Sequence, residues 1–255
     1  MNAKRFSSII MDMIELRESD LLVTFFTKEK GKLKGIAKGA KRSKKRFFNC
    51  LDLFCFVDME LENKKNKDLW FLHSCKLIEP FNKIRENYTS YVLASYMIEL
   101  IDILFPIGVT DELMFKTIVK SLNMLHNKYN CELVLINFEA KIMSIGGYRI
   151  NLERCQNCGR PYQGKGKGVF VAYKGGIVCL KCFRHKYDSV LLEPEAIQNL
   201  RFLQSPYSSI NTMKIKKSIL SQIKEVLKLH IEFTLGNKLR SKRFIDSLFP
   251  LSPIS

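Results

Sequence analysis

The chain carries two pairs of cysteines at the spacing of a four-thiolate metal site. Two residues separate Cys155 from Cys158 and Cys179 from Cys182, and twenty residues lie between the pairs. Each Cys-x2-Cys pair fits a tight knuckle whose backbone N–H groups favour thiolate, and the long loop lets two knuckles converge tetrahedrally. The spacing therefore predicts one structural Zn²⁺, held by these four cysteines in a small ribbon.

Two other uses of the same cysteines remain open from the residues alone. Redox-active Cys-x-x-Cys pairs lie in a thioredoxin-like βαβ pattern, which does not surround either pair here. A catalytic zinc keeps an open coordination position, whereas four thiolates close the shell. His185 is an alternative ligand by position, but we expect it to be an ordinary surface histidine near a basic edge.

The first eighty residues have the pattern of short strands. Over residues 51–61 apolar and mainly polar residues alternate, which is the pattern of a half-buried antiparallel strand. Four similar runs are found at 6–16, 21–27, 32–38 and 69–77. Five short strands predict a small closed barrel, for which the oligonucleotide-binding (OB) fold is the template.

Beyond Pro80 the apolar residues recur at helical spacing. The predicted helices cover 88–105, 111–129, 132–145, 193–204 and 215–235. The expected fold is therefore an α+β multidomain chain of 255 residues. It comprises a five-stranded OB-fold barrel over 1–80, an all-α domain over 81–150 and 191–255, and a four-cysteine zinc ribbon inserted at 151–190.

The sequence argues against a membrane span and a secretion signal. The most apolar stretch, 91–109, contains Glu99, Asp102 and a Pro-Ile-Gly break, so a buried helix is the better interpretation. Acidic residues interrupt the N-terminal apolar run, and no small-residue cleavage site follows it. We therefore expect a cytoplasmic protein without a membrane partner.

The charge is strongly positive and unevenly distributed. The 42 Lys+Arg against 25 Asp+Glu give a net charge of +17, which attracts polyanions, nucleic acid first among them. Residues 28–46 hold ten basic residues and one acid, whereas 81–150 are neutral. Residues 151–190 hold eight basic residues and two acids. The basic segment, residues 28–46, is the first candidate for a nucleic-acid surface.

Within the basic segment, strand alternation places Lys32, Lys34 and Lys38 on one face. A row of lysines on the outer face of a barrel follows a phosphate backbone but does not read bases, so binding should be sequence-independent and salt-sensitive. The alternative is that these lysines only maintain solubility and block strand pairing. Three aromatic residues are candidate stacking platforms that we expect to pack instead against the helical body: Phe54, Phe56 and Trp70.

The order of several segments resembles the RecO family of bacterial DNA repair proteins. Residues 18–27, 29–33 and 36–44 are similar to its N-terminal signature. The resemblance continues through Leu69-Trp70, residues 77–80, Gly146-Gly147-Tyr148 and the paired cysteines. It covers most of the chain in the right order, and the last sixty residues match only in helical character.

The resemblance implies an OB barrel, a helical domain and a zinc-binding insertion in a protein that is not an enzyme. Members of the family bind single- and double-stranded DNA and anneal complementary strands. With RecR they load RecA onto DNA coated by the single-strand-binding protein SSB, whose acidic C-terminal tail is an expected partner. The resemblance also implies a cytoplasmic protein that associates with the nucleoid when it binds DNA.

The resemblance also assigns residues. The four paired cysteines match the zinc ligands, and because some relatives lack them the zinc is expected to serve folding. Eight residues match the basic barrel segment as the expected DNA contacts: Lys32, Lys34, Lys38, Lys41, Arg42, Lys44, Lys45 and Arg46.

Sequence motifs for catalysis are missing. We find no Gly-x4-Gly-Lys-Ser/Thr loop, no Gly-x-Gly-x-x-Gly and no His-Glu-x-x-His. The alternative function is an RNA-binding protein built from an OB barrel and a zinc ribbon. A nuclease or thiol oxidoreductase is the third hypothesis, although no carboxylate cluster has metal-ligand spacing.

Overall fold

The computed structural model describes residues 3–63, 69–184, 188–210, 213–236 and 239–250. The chain divides into two compact units, residues 1–129 and residues 130–255. Each unit combines a small β structure with helices, and the two are described separately below.

The first unit begins with a closed five-stranded barrel. The strand order around it is β1-β2-β3-β5-β4, and β4 pairs back to β1. The β3–β5 pair is parallel, whereas the other four pairs are antiparallel. The strands are β1 Lys4–Glu15, β2 Leu21–Thr27, β3 Gly31–Ala37, β4 Phe56–Glu62 and β5 Leu69–Glu79. The predicted five-stranded OB-fold barrel is confirmed.

Strand β4 follows the predicted alternation but is shorter than predicted. Its fully buried side chains are Val57, Met59 and Leu61. The strand begins at residue 56, so the prediction of a strand over 51–55 is wrong. Phe54 there has a φ of 70°, which is incompatible with strand geometry, and its ring centroid lies 5.5 Å from that of Tyr91.

Three of the helices in the described chain begin directly after a capping side chain. The side chains of Asn87, Asp111 and Asn130 each accept a hydrogen bond from a backbone N–H three residues later, at 2.9, 2.7 and 3.0 Å. The helices are α1 Asn82–Arg85, α2 Tyr88–Leu104, α3 Glu112–His126, α4 Cys131–Ile145, α5 Pro194–Leu203, α6 Lys217–Leu235 and α7 Lys242–Leu248. The five predicted helices are found, and α1 and α7 add to them.

Within the described ranges, no helix has the length and apolarity needed to cross a membrane.

Strand β3 is fixed to the loop that joins α2 to α3. The backbone N–H of Gly108 donates to the carbonyl of Lys32 at 3.0 Å. Gly31 has a φ of 66°, and a Cβ at that position would lie 1.9 Å from the carbonyl oxygen of Val109. Glycine is therefore required there, because any side chain would separate the strand from the loop.

The second unit contains an antiparallel sheet of order β7-β6-β8 and helices α4 to α7. Its strands are β6 Gly168–Val171, β7 Gly176–Cys179 and β8 Ser189–Leu192. The buried side chain of Gln204 accepts a hydrogen bond from the N–H of Ile150 at 2.8 Å and donates to its carbonyl at 3.2 Å. These bonds satisfy a buried backbone group directly before the cysteine-rich segment.

Candidate metal centre and nucleic-acid interface

The four paired cysteines converge in the second unit. Cys155 and Cys158 precede β6, Cys179 ends β7, and Cys182 lies in the turn that follows. Their Sγ atoms lie within 4.8 Å of one another, and those of Cys158 and Cys179 are 4.0 Å apart. The two pairs therefore form one cluster of four sulfur atoms.

Short backbone hydrogen bonds shape the two knuckles. Gly159, whose φ is 70°, donates its N–H to the carbonyl of Cys155 at 3.0 Å. The N–H of Cys182 donates to the carbonyl of Cys179 at 2.9 Å. The side-chain amide of Asn157 donates to the carbonyl of Cys182 at 3.2 Å and so joins one knuckle to the other.

The backbone also sets the charge of the cluster. Burial by itself raises the pKa of Cys155, but the backbone N–H groups of Cys158, Cys179 and Asn157 outweigh it and lower the pKa to about 6. Hydrogen bonds with the sulfur atoms of Cys179 and Cys158 raise the pKa of Cys182 to about 12. Four thiolates this close repel one another, and one bound cation would remove that repulsion.

The cluster fits a single tetrahedral metal ion. Metal–thiolate bonds of about 2.3 Å place the sulfurs of a tetrahedral site roughly 3.8 Å apart, which small side-chain shifts achieve here. Four thiolates fill the coordination shell and leave no position for substrate. Cys155 belongs to a small buried cluster with Val169, Val171 and Val178. The arrangement is therefore suited to a structural role.

The basic segment, residues 28–46, covers β3 and the loop after it. Five of its exposed lysines have no carboxylate among the described residues within 4.0 Å of their ammonium groups. Four of them are predicted DNA contacts, and Lys30 adds a fifth: Lys34, Lys38, Lys44, Lys45 and Lys30. They form the strongest candidate surface for an anionic ligand in the first unit.

Two of the predicted DNA contacts form exposed ion pairs. The ammonium of Lys41 lies 2.8 Å from the carboxylate of Glu15, and the guanidinium of Arg42 lies 3.2 Å from that of Glu18. Exposed pairs of this kind contribute little to stability. Phosphate can therefore replace either carboxylate at small cost.

Arg46 is held in place by its neighbours. Its Nη2 donates to the carbonyl of Lys38 at 2.8 Å, and its guanidinium lies 5.2 Å from the ring centroid of Phe47. Its own carbonyl accepts a hydrogen bond from the N–H of Cys75 at 2.9 Å. The loop that carries the cations is thus tied to β5.

Lys32 lies on the predicted face but is not exposed with the other lysines. It is only 7% exposed, and its Nζ donates to the backbone oxygen of Asp102 at 2.6 Å and to Oδ1 at 2.9 Å. The C-terminal end of α2 covers this part of the strand. The expected row of three exposed lysines therefore contains two, because alternation identifies a face but not what packs on it.

The aromatic candidates are used for packing. Phe54 and Phe56 pack against α2 and α3, with ring centroids 5.5 Å from Tyr91 and 5.9 Å from Phe115. These contacts match the expectation that they face the helices. The expectation for Trp70 is wrong, because its ring packs edge-on against Phe6 of β1, with the ring centroids 5.8 Å apart.

The sequence patterns did not identify two aromatic residues that lie near cations of the basic segment. Phe48 is 63% exposed and lies two residues after Arg46, and the ammonium of Lys38 lies 5.8 Å from the ring centroid of Phe71. The sequence signal is the Phe47-Phe48 pair after the run of cations, although it does not tell that Phe47 is buried and Phe48 exposed. His185 lies outside the described residues, so its prediction as a surface histidine stays a prediction.

Known proteins resemble the chain over nearly its whole length. Residues 1–81 match the family model described as Recombination protein O N terminal, and residues 85–243 match that described as Recombination protein O C terminal. DNA repair protein RecO of Syntrophus aciditrophicus (strain SB) is 30% identical over 244 residues, which is 94% of this chain and 93% of that protein. The protein of the same name from Desulfatibacillum aliphaticivorans is 30% identical over 247 residues, or 95% and 96% of the two chains.

Proposed function

Because the chain belongs to the RecO family of DNA repair proteins, we propose that it is a non-enzymatic mediator that binds single- and double-stranded DNA and anneals complementary strands. With RecR, it helps to load RecA onto single-stranded DNA coated by SSB. The observation that supports DNA binding most directly is the set of five exposed lysines of the basic segment without a nearby carboxylate in the described chain: Lys30, Lys34, Lys38, Lys44 and Lys45.

The proposed contact is electrostatic and follows the phosphate backbone. Lys34 and Lys38 are four residues apart, which corresponds to about 13 Å along an extended chain. Lys41, Arg42 and Arg46 extend the surface. Each phosphate neutralised releases condensed counterions, so affinity should fall steeply with salt. Lys32 has a different role in this proposal, since its ammonium holds β3 against α2 and does not contact DNA.

Annealing in this proposal needs no chemical step. Two complementary strands repel each other through their phosphates, and a protein with more than one basic surface lowers that repulsion while it holds both strands. The basic segment supplies one such surface, and residues 151–190, with eight basic residues and two acids, supply a second. The neutral segment 81–150 is left for structural and protein contacts.

We propose Zn²⁺ as the metal of the cysteine cluster, because soft thiolates in a closed tetrahedral shell select zinc. Bound zinc supplies a cross-link between the two knuckles. The remaining proposals rest on the family and on the sequence patterns. They are an acidic SSB tail as ligand, RecR as partner, a cytoplasmic location with nucleoid association, and the division into barrel, helical domain and inserted ribbon.

Charge reversal in the basic segment tests the DNA contact. The variant Lys41→Glu/Arg42→Glu/Lys44→Glu/Lys45→Glu should bind single-stranded DNA more weakly by about tenfold or more, because several phosphate contacts are removed. The slope of log affinity against log salt should also become shallower, by about 0.7 for each phosphate that the variant no longer neutralises. Fluorescence anisotropy with a labelled oligonucleotide at several salt concentrations measures both.

The control reverses four exposed lysines outside the segment: Lys83, Lys120, Lys214 and Lys217. It carries the same change in net charge and should keep most of the affinity. Equal reductions in both variants would mean that overall charge, not this surface, determines binding.

Annealing of complementary oligonucleotides without ATP, repeated with matched RNA, separates the DNA mediator from the RNA-binding alternative.

A further inference from the structure

The ribbon, residues 151–190, contains a pocket with aromatic walls next to the cysteine cluster. Its apolar lining consists of Val171 and Val178, which are almost fully buried, and of the aromatic side chains of Tyr173 and Phe183. The rest of the lining consists of Asn157, Lys174, Cys182 and Arg184. Its volume is about 140 Å³, well below the roughly 300–1,000 Å³ of pockets for drug-sized ligands. A flat fragment such as one base matches this size better than a whole cofactor.

The rim of the pocket is positively charged. The ammonium of Lys174 lies 5.3 Å from the ring centroid of Tyr173. Arg184 is oriented by two hydrogen bonds from its Nη1, to the carbonyls of Lys181 and Phe183 at 3.1 and 3.2 Å. In the part of the chain that the structure describes, no carboxylate lies within 4.0 Å of these two cations or of the Lys181 ammonium.

Tyr173 is displayed by a fixed turn rather than by a loose loop. It lies in the 3-10 turn Ala172–Lys174, which Gly175 closes with a φ of 58° and a hydrogen bond to the carbonyl of Ala172 at 2.9 Å. The carbonyl of Gly175 in turn accepts a hydrogen bond from the N–H of Asn151 at 2.9 Å. The Tyr173 side chain is nevertheless 49% exposed, so a ligand can reach its ring without rearrangement of the backbone.

We propose that this pocket receives one unstacked base of single-stranded DNA between Tyr173 and Phe183, while Lys174, Lys181 and Arg184 bind the adjoining phosphates. Aromatic walls with a cationic rim are the combination that binds single strands without sequence preference. A base within a duplex is already stacked, so the pocket favours single strands. The inference rests on the proposed DNA-binding function and deepens it by naming a second, base-contacting site.

Photo-crosslinking of the full-length, zinc-loaded protein tests the pocket. An oligo-dT strand with one 5-iododeoxyuridine should form an adduct at Tyr173 or Phe183, identified by peptide mass spectrometry. Tyr173→Ala should lower the adduct yield and weaken single-strand affinity about fivefold or more, with a smaller effect on duplex affinity. Tyr173→Phe keeps the ring and should keep both properties. Zinc content and thermal unfolding confirm that the variants remain folded.

Two matched controls isolate the effect. Tyr207→Ala removes an exposed tyrosine of the same unit and should change neither the adduct nor the affinity. Lys174→Ala/Arg184→Ala should weaken single-strand binding more than Lys120→Ala/Lys214→Ala, which removes the same charge elsewhere.

The outcomes separate this inference from the proposed function. If Tyr173→Ala leaves the adduct yield and the single-strand affinity unchanged, the proposed base site in the pocket is wrong. The charge-reversal variant of the basic segment still tests the proposed DNA contact of the barrel. Normal binding by the basic-segment variant contradicts the proposed barrel contact, whatever the pocket does. If an acidic peptide suppresses the adduct and unlabelled oligo-dT does not, the pocket takes a protein segment and the inference is wrong.

Discussion

In the barrel, Cys55 and Cys75 lie in a core of fifteen buried side chains, and burial raises the pKa of both thiols. In the ribbon, the buried cluster at the cysteine loops has four side chains, and the pKa of its Cys155 is lowered to about 6 despite burial, because backbone N–H groups stabilise the thiolate. The same residue type fills space in one region and offers a charged ligand atom in the other.

This difference shows where each region obtains its stability. The barrel closes its own hydrogen-bond ladder around a continuous apolar core and needs no ligand to fold. The ribbon has three short strands of four residues each, and the buried cluster between its two cysteine loops is too small to hold these loops together by itself. A metal cross-link is the natural substitute for the missing core.

Metal removal is the largest perturbation that distinguishes the two regions. Apparent binding free energies of structural zinc in small domains are about 10–16 kcal/mol, so removal should unfold the ribbon and leave the barrel intact. Under native conditions a thiol reagent should then detect the four ribbon cysteines, while Cys50, Cys55 and Cys75 react only on global unfolding. A thiol count that does not change on metal removal would contradict the metal-dependent ribbon.

Truncation of a side chain in the barrel core should destabilise the barrel and leave the metal site of the ribbon intact. Met59→Ala removes a fully buried side chain and should lower the free energy of unfolding by about 2–5 kcal/mol in urea titration, with unchanged zinc content. Ile14→Ala is the control, since Ile14 is 53% exposed, and should change stability by less than about 0.5 kcal/mol. Loss of zinc from Met59→Ala would show that the two regions do not fold independently.

The smallest expected effect concerns the buried ammonium of Lys32. Variants of this contact measure how much one polar interaction adds to the stability of the barrel. Asp102→Ala leaves that ammonium with the backbone oxygen alone and should cost about 1.5–3 kcal/mol. Lys32→Met should cost under about 1 kcal/mol, because the Asp102 side chain is 55% exposed and returns to water. Urea titration measures the loss of stability in both variants. A larger loss in Lys32→Met than in Asp102→Ala would show that the unpaired carboxylate, and not the unpaired ammonium, is the costlier group.

Local patterns predicted most of the architecture. Alternation located Val57, Met59 and Leu61, and cysteine spacing located a cluster that the fold brings within 4.8 Å. The misses depend on contacts between distant parts of the chain. Lys32 is covered by α2 and Trp70 packs against Phe6, and neither partner is visible in a window of ten residues.

The close approach of Gly31 to Val109 has a consequence for genetic studies of this protein. Position 31 lies within the basic segment but is itself buried, and any side chain there would collide with the loop after α2. In a saturation library scored by survival of DNA damage, it should tolerate glycine alone. An inactive allele at this position would thus indicate failed assembly, and it should not be used to map the DNA-binding surface.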